Sequence, residues 1–180
     1  FINLFRYSIT SCNNNVFCST NYTMKKKYNI SVCMSTRNKK VPLKRTLQSI
    51  FDNNPELDYE VIVVDDGSDD NTIRTCLYFH EYLLFYVRIQ NDEYRNPAIA
   101  RNIAYKKAEG DIIIAQSDDV IHVTQNSIQK LCDYLKNNEN SFVISTVYNY
   151  DVDKKQLKEQ YTGMFNQRPL FFLGALWRKN

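Results

Sequence analysis

Glycine and proline are scarce in this chain of 180 residues, four of each, which excludes a collagen-like repeat and a Gly/Pro-rich disordered segment. No apolar run approaches the ~20 residues that a membrane-crossing helix needs; the longest, at residues 112–115 and 169–177, fall far short. The five cysteines, Cys12, Cys18, Cys33, Cys76 and Cys132, are odd in number and form no Cys-x-x-Cys pair. Neither a zinc site nor a redox motif nor a disulfide scaffold follows from them. Charge of one sign is lacking too: 23 Lys plus Arg against 20 Asp plus Glu leave a formal +3, too little to direct the chain to nucleic acid. What is present is a globular composition, 43% hydrophobic with 13 Tyr and 10 Phe. A domain of this size buries roughly 70% of the surface its unfolded chain exposes.

The two ends differ from the middle. Residues 1–23 show no sustained period, no Met and no long apolar stretch of the kind a secretory signal carries, and are expected to be an irregular or disordered extension. Met24 and the solvated run Lys25-Lys26-Lys27 then open a single domain over residues 24–180. The buried-looking run Phe171-Phe172-Leu173-Gly174-Ala175-Leu176-Trp177 lies close to the last residue. The expectation is a C-terminally truncated domain, the N-terminal part of a longer protein.

Between the ends, strands and helices alternate. Residues 28–35 alternate Ile30, Val32 and Met34 with Ser31 and Cys33, a strand pattern. Pro42 opens a helix whose Leu43, Leu47, Ile50 and Phe51 fall on one face. Residues 59–64 are a β-branched run of the kind a strand covered on both faces requires. A short helix from about Asn71, a strand over residues 83–89 and a helix over residues 97–108 follow, the last expected to end on a left-handed Gly110. Residues 111–115 form the next strand; Ile128, Leu131, Cys132 and Leu135 mark another helix, and residues 141–148 another strand. Cys33 and Cys132 sit among apolar residues and are expected as buried thiols, which suits a reducing compartment. The order predicts an α/β fold, a Rossmann-like, mostly parallel sheet flanked by helices.

Open α/β sheets bind ligands beyond the carboxyl ends of their strands. Here those ends read Ser35-Thr36-Arg37-Asn38, Asp65-Asp66-Gly67-Ser68 and Ser117-Asp118-Asp119. Four carboxylates on one rim repel, since two unit charges ~4 Å apart cost about 4 kcal/mol at an effective dielectric near 20. A cation or a set of donors must sit among them. Neither G-x-G-x-x-G nor G-x-x-x-x-G-K-[ST] occurs, so a dinucleotide fingerprint and a P-loop are both missing. A calcium loop fails because Gly67 stands third from Asp65 and Cys76 twelfth. A site that binds phosphate through a carboxylate-held Mg2+ or Mn2+ is what remains.

Ile30-Ser31-Val32-Cys33-Met34-Ser35-Thr36-Arg37-Asn38, then Val61-Ile62-Val63-Val64-Asp65-Asp66-Gly67-Ser68, then Asn96-Pro97-Ala98-Ile99-Ala100-Arg101-Asn102, then Ser117-Asp118-Asp119 resemble, in order and spacing, the family 2 glycosyltransferases of GT-A fold. The resemblance covers residues 28 to about 150. It implies a nucleoside diphosphate sugar, commonly a UDP-sugar, with a divalent metal and inversion at the anomeric carbon, the acceptor being a glycan, a lipid or another molecule. Position by position it implies Ser35 and Arg37 in the base pocket, Asp66 accepting a hydrogen bond from the base with Asp65 beside it, and Asp118 on the ribose. Asp119 would hold the metal at the end of the D-x-D motif, and Arg101 would approach the diphosphate.

Three departures stand against the family pattern: Ser117 where the first Asp of D-x-D is usual, Arg37 where Tyr is frequent, and no Gly-Gly-Phe-Asp segment with its acidic pair before Asn180. The general base is therefore unassigned, with Asp151 and Asp153 as weak candidates. The rival readings are a nucleotide-sugar-binding module without transfer and a sugar nucleotidylyltransferase, although the latter wants a Gly-rich loop after the first strand. Nucleotide sugars are mostly cytosolic, so the expected location is cytoplasmic, with peripheral membrane association through further segments. No nucleic-acid partner is expected.

Overall fold

The computed structural model describes residues 7–12, 15–20, 29–79, 82, 84–90, 96–136, 142–145, 148–151, 154, 156–160 and 175–178. Along the chain run β1 (Tyr7–Cys12), β2 (Asn15–Thr20), β3 (Ile30–Thr36), α1 (Lys40–Asn53), β4 (Tyr59–Asp65), α2 (Thr72–Tyr78) and β5 (Leu84–Ile89). Then come α3 (Ala98–Lys107), β6 (Ile112–Ala115), α4 (Ser127–Lys136), β7 (Val143–Ile144), β8 (Tyr148–Asp151), β9 (Gln156–Gln160) and β10 (Ala175–Arg178).

Eight strands form one sheet in the order β1-β2-β5-β4-β3-β6-β10-β7. The central four, β5, β4, β3 and β6, are parallel, as the βαβ alternation requires. Antiparallel strands close both sides: β2 on β5 with β1 beyond it, and β10 on β6 with β7 beyond it. The irregular extension expected over residues 1–23 thus gives way at Tyr7–Cys12 and Asn15–Thr20 to a strand pair. Of the strand expected over residues 141–148, Val143–Ile144 form β7, whereas Tyr148 opens β8 in a separate pair with β9.

Both faces of the parallel core are covered. On one, Val32, Met34, Val61 and Val63 meet Leu43, Leu47, Ile50 and Phe51 of α1 and Ile128, Cys132 and Leu135 of α4. On the other, Cys33, Ile62, Val64 and Val87 meet Ala100 and Ala104 of α3 and Ala108 just after it. Alanine at every fourth position lets α3 lie close enough for the Cys33 thiol to reach the Ala104 carbonyl at 3.7 Å. Each fully buried Val, Leu or Ile here is worth about 1.5–3 kcal/mol, and all seven residues of β4 are buried.

Gly110 is not the left-handed helix end expected. Among the described glycines only Gly67, at φ 81°, lies in the left-handed region, and α3 ends instead on an extended Ala108. Gly110 is required by close approach: a Cβ there would stand 2.7 Å from the Ile30 carbonyl carbon and the Ser31 nitrogen.

Candidate functional site

Strand register brings the three polar ends together. Thr36 of β3 stands opposite Asp65 of β4, and Cys33 opposite Ala115 of β6, with the Gln116 N–H donating to the Cys33 carbonyl at 2.9 Å. Beyond Ala115 the chain turns at Asp118 and Asp119, where Lys39, from the loop after β3, meets Asp119 at 2.8 Å. Asp66 and Asp119 thus leave the same edge of the sheet, on either side of β3.

The loops after β3 and β4 are tied to each other. The Asp66 N–H donates to the Thr36 carbonyl at 2.9 Å, and Arg37 Nη1 to the Asp66 carbonyl at 3.1 Å. Asn38, left-handed at φ 52°, a region Asn tolerates better than most residues, donates its N–H to Ser68 Oγ and accepts from the Asp69 N–H through Oδ1, both at 2.9 Å. Asp70 Oδ2 accepts the Lys40 N–H at the head of α1 at 2.9 Å. Arg88 of β5 closes the frame by donating to the Ser68 carbonyl at 2.6 Å.

The two adjacent aspartates play different parts. Asp65 is fully buried; its Oδ1 accepts the Ser68 N–H at 2.8 Å and its Oδ2 accepts the Tyr86 hydroxyl. It shapes the loop from within; Asp66, buried as well, is the first residue after the strand.

The third loop carries the metal candidate. Asp118 is largely buried, its carbonyl accepting from Thr46 Oγ1 of α1 at 3.0 Å; burial pushes its carboxyl above the usual range, with the Lys39 charge pulling the other way. Asp119 stands half-exposed, paired with Lys39 Nζ at 2.8 Å through Oδ2 and accepting the Ser117 hydroxyl at 2.6 Å through Oδ1. Burial pushes the Asp119 carboxyl up, but the Lys39 and Ser117 hydrogen bonds and the Lys39 charge together outweigh it and hold the group below its ordinary value. Its hydrogen bond to Asp119 raises the Lys39 ammonium in turn.

Behind that loop a neutral histidine acts as a latch. Gln116 Nε2 donates to the Ser117 and Val120 carbonyls at 3.2 and 3.1 Å, leaving Gln116 Oε1 to accept from His122 Nε2 at 3.2 Å. His122 Nδ1 then accepts from the Ser127 hydroxyl at 2.7 Å, a tautomer assigned by the network. Ser49 Oγ accepts the His122 N–H and Asn53 Nδ2 donates to its carbonyl, fastening the loop to α1. Burial pushes the imidazole down to about 4 from 6.5. The unfolded chain takes up this proton first as pH falls, so the stability due to the neutral ring is complete above pH 6.5 and is lost toward pH 4. Urea denaturation at pH 7 and at about pH 4.5 is expected to show the parent losing roughly 2–3 kcal/mol more than His122→Asn. Equal losses would mean that the ring is not held neutral.

Ser35, Arg37, Asp65, Asp66, Asp118 and Asp119 are therefore gathered at one edge. Arg101 is exposed in the first turn of α3, on the face of the sheet opposite α1 and α4. Asp151 ends β8 opposite Gln156; Asp153 lies outside the described residues. Sequence reasoning asked for a positive group among the carboxylates without finding Lys39. The signal was a lysine directly after Asn38 in the loop facing the rim. A cavity of about 350 Å³ lies at the other edge, where β3 and β6 begin, lined by Asn29, Asp58, Asp111, Cys132 and Lys136, away from all of these groups.

Among the described residues no group of three or more His, Cys, Asp or Glu could hold a metal ion. Mg2+ and Mn2+ sites that take one or two carboxylates and complete their shell with substrate phosphates and water need no such group. Asp119, half-exposed beside Asp118, fits that chemistry.

The doubly covered, mostly parallel sheet with an acidic rim at its carboxyl edge is of the GT-A fold, as its likeness to the solved glycosyltransferase structures below shows. Residues 31–180 match the family described as glycosyl transferase family 2, and the chain belongs to that family. It is 29% identical over 146 residues to the uncharacterized glycosyltransferase YfnE of Bacillus subtilis (strain 168), covering 77% of this chain and 36% of YfnE. The crystal structure of residues 1–349 of S. aureus TarS superposes with a TM-score of 0.62 at 18% identity, covering 83% of this chain and 47% of that one; the same TarS segment is also known in complex with UDP-GlcNAc, at a TM-score of 0.56, 20% identity and coverage of 77% of this chain and 38% of that one. The mannosyltransferase PcManGT of Pyrobaculum calidifontis, in complex with GDP-Man and Mn2+, gives 0.56 at 20% identity, covering 71% of this chain and 37% of that one. The chain spans about a third of the length of YfnE, TarP and GlyG, curated relatives it matches, and 16% of TarS.

Proposed function

We propose that residues 24–180 form the donor-binding part of an inverting, metal-dependent glycosyltransferase, and that the donor is a UDP-sugar. The observation that carries this is the gathering of three strand ends, from β3, β4 and β6, on one edge with their loops tied together. Family membership supports it, as do TarS in complex with UDP-GlcNAc and PcManGT in complex with GDP-Man and Mn2+. In this reading Ser35 and Arg37 flank the base, a guanidinium plane being able to stack on it, and Asp66 accepts a hydrogen bond from the base. Asp65 keeps Asp66 in place, Asp118 meets the ribose, Asp119 holds the divalent ion, and Arg101 reaches the diphosphate.

A divalent ion, when bound, supplies Lewis-acid stabilisation of the negative charge growing on the leaving diphosphate. The chain itself binds and orients the donor: Asp119 fixes the cation's place, and the tied loops hold the base side. Transfer also requires a base that takes the proton of the acceptor hydroxyl as it attacks an oxocarbenium-like carbon; that base and the acceptor site are not assigned to residues of this chain. No helix among the described residues is long and apolar enough to cross a membrane.

Calorimetric titration tests the donor assignment. UDP is expected to bind about tenfold more tightly with Mn2+ than without it, and Asp66→Ala to weaken UDP by about tenfold, the worth of one charge-assisted hydrogen bond. No binding of UDP or of another nucleoside diphosphate, with or without Mn2+, would remove the assignment.

A further inference from the structure

We infer that Lys39 is a displaceable internal cation: it neutralises Asp119 in the unloaded site, competes with a divalent metal for that carboxylate, and on release pairs with the donor's diphosphate. The inference rests on the donor-site reading and adds to it a residue that neither the family pattern nor the acidic motif assigns.

Both oxygens of Asp119 are engaged, Oδ2 by the Lys39 ammonium at 2.8 Å and Oδ1 by the Ser117 hydroxyl at 2.6 Å. A cation that takes Oδ2 must move the ammonium. The backbone under Lys39 is held: Asn38 before it is fixed by Ser68 and Asp69, and the Lys39 carbonyl accepts the Leu43 N–H at 2.8 Å in the first turn of α1. The side chain is not so held. It is 42% exposed and its partner 45%, so the pair belongs to the weak class of exposed ion pairs that a stronger competitor displaces. Its four-carbon stem lets the head group change partners with the main chain in place.

Charge favours the exchange. A divalent ion brings two positive charges, while Asp119 and the diphosphate of a nucleotide sugar bring three negative ones, so Lys39 offsets charge that the ion alone leaves. In the empty site the same lysine answers the repulsion of Asp118 and Asp119.

Lys39→Met keeps the stem and removes the charge, and Lys39→Arg restores it. Mn2+ alone, titrated into the protein and followed by electron paramagnetic resonance, is expected to bind Lys39→Met about fivefold more tightly than the parent. UDP at saturating Mn2+ is expected to bind Lys39→Met about tenfold more weakly and Lys39→Arg close to the parent. Mn2+ affinity equal to or below the parent's in Lys39→Met, or UDP affinity unchanged in it, would reduce Lys39 to a surface partner while leaving the donor site standing. A parent that binds neither Mn2+ nor UDP would instead overturn the donor site, and this inference with it.

Discussion

Alanine in place of Gly110 is expected to lower the stability of the fold by about 3 kcal/mol or more. The added methyl would stand 2.7 Å from the Ile30 carbonyl carbon and the Ser31 nitrogen and 2.8 Å from Ser31 Oγ, and two of these atoms are backbone of the central strand β3, which has neighbours on both sides. Relief therefore has to come from the connection between α3 and β6, and that connection is bound into a buried polar network. The Gly110 N–H donates to Ser31 Oγ at 2.8 Å, the Ser31 hydroxyl donates to Glu60 Oε1, and the Glu109 N–H donates to the same oxygen at 2.8 Å. Glu60 is 1% exposed; burial pushes its carboxyl above the ordinary range, while the Ser31 and Glu109 bonds pull it back. Moving the connection by the length of a bond leaves some of these groups unsatisfied, at about 1–3 kcal/mol each. Urea denaturation of Gly110→Ala beside the parent is the measurement, and a loss under about 1 kcal/mol would show that the approach to β3 is looser than drawn.

The second large effect falls on binding instead of folding. Asp119→Ala is expected to weaken UDP about a hundredfold in saturating Mn2+, about 2.7 kcal/mol, and to leave UDP affinity without metal within a factor of about three. Stability should barely change, because Lys39 is half-exposed and an exposed ion pair is worth about 0–1 kcal/mol. The combination separates a metal ligand from a structural carboxylate. Asp65, only a few positions along the same rim, would fail such a test, since it is fully buried and satisfies Ser68 and Tyr86. Calorimetry on Asp119→Ala with and without Mn2+ decides: an affinity unchanged in metal removes Asp119 from that role.

The parallel core was legible because its signals are local. The β-branched run of β4 and the face carrying Leu43, Leu47, Ile50 and Phe51 announce strand and helix through their periods, and both are buried as read. Asp65, Asp66, Asp118 and Asp119 stood out because two acidic pairs follow two apolar strands, although a turn alone can use such a pair, as Asp65 does. The side strands were not legible: β2 is a strand through its long-range pairing with β5, and nothing in a polar, aperiodic segment names its partner. Two adjacent aspartates look alike in a sequence. Both are buried, and what marks Asp65 is its pairing with Ser68 and Tyr86. Lys39 was implied by charge but not located, because it and Asp119 are 80 residues apart in the chain and meet only through β3 lying beside β6. At Gly110 the residue type was informative and the reason inferred was wrong, since a helix-ending glycine signals positive φ more often than crowding.

The ties of Asn38 to Ser68 and Asp69, and of Lys40 to Asp70, make one frame of the loops that follow β3 and β4. They run through backbone groups and short side chains, and the Arg37 guanidinium joins the same frame at the Asp66 carbonyl. On the donor-site reading proposed above, a substitution at position 37 changes what faces the base while the Asn38–Ser68, Asn38–Asp69 and Lys40–Asp70 ties stay in place.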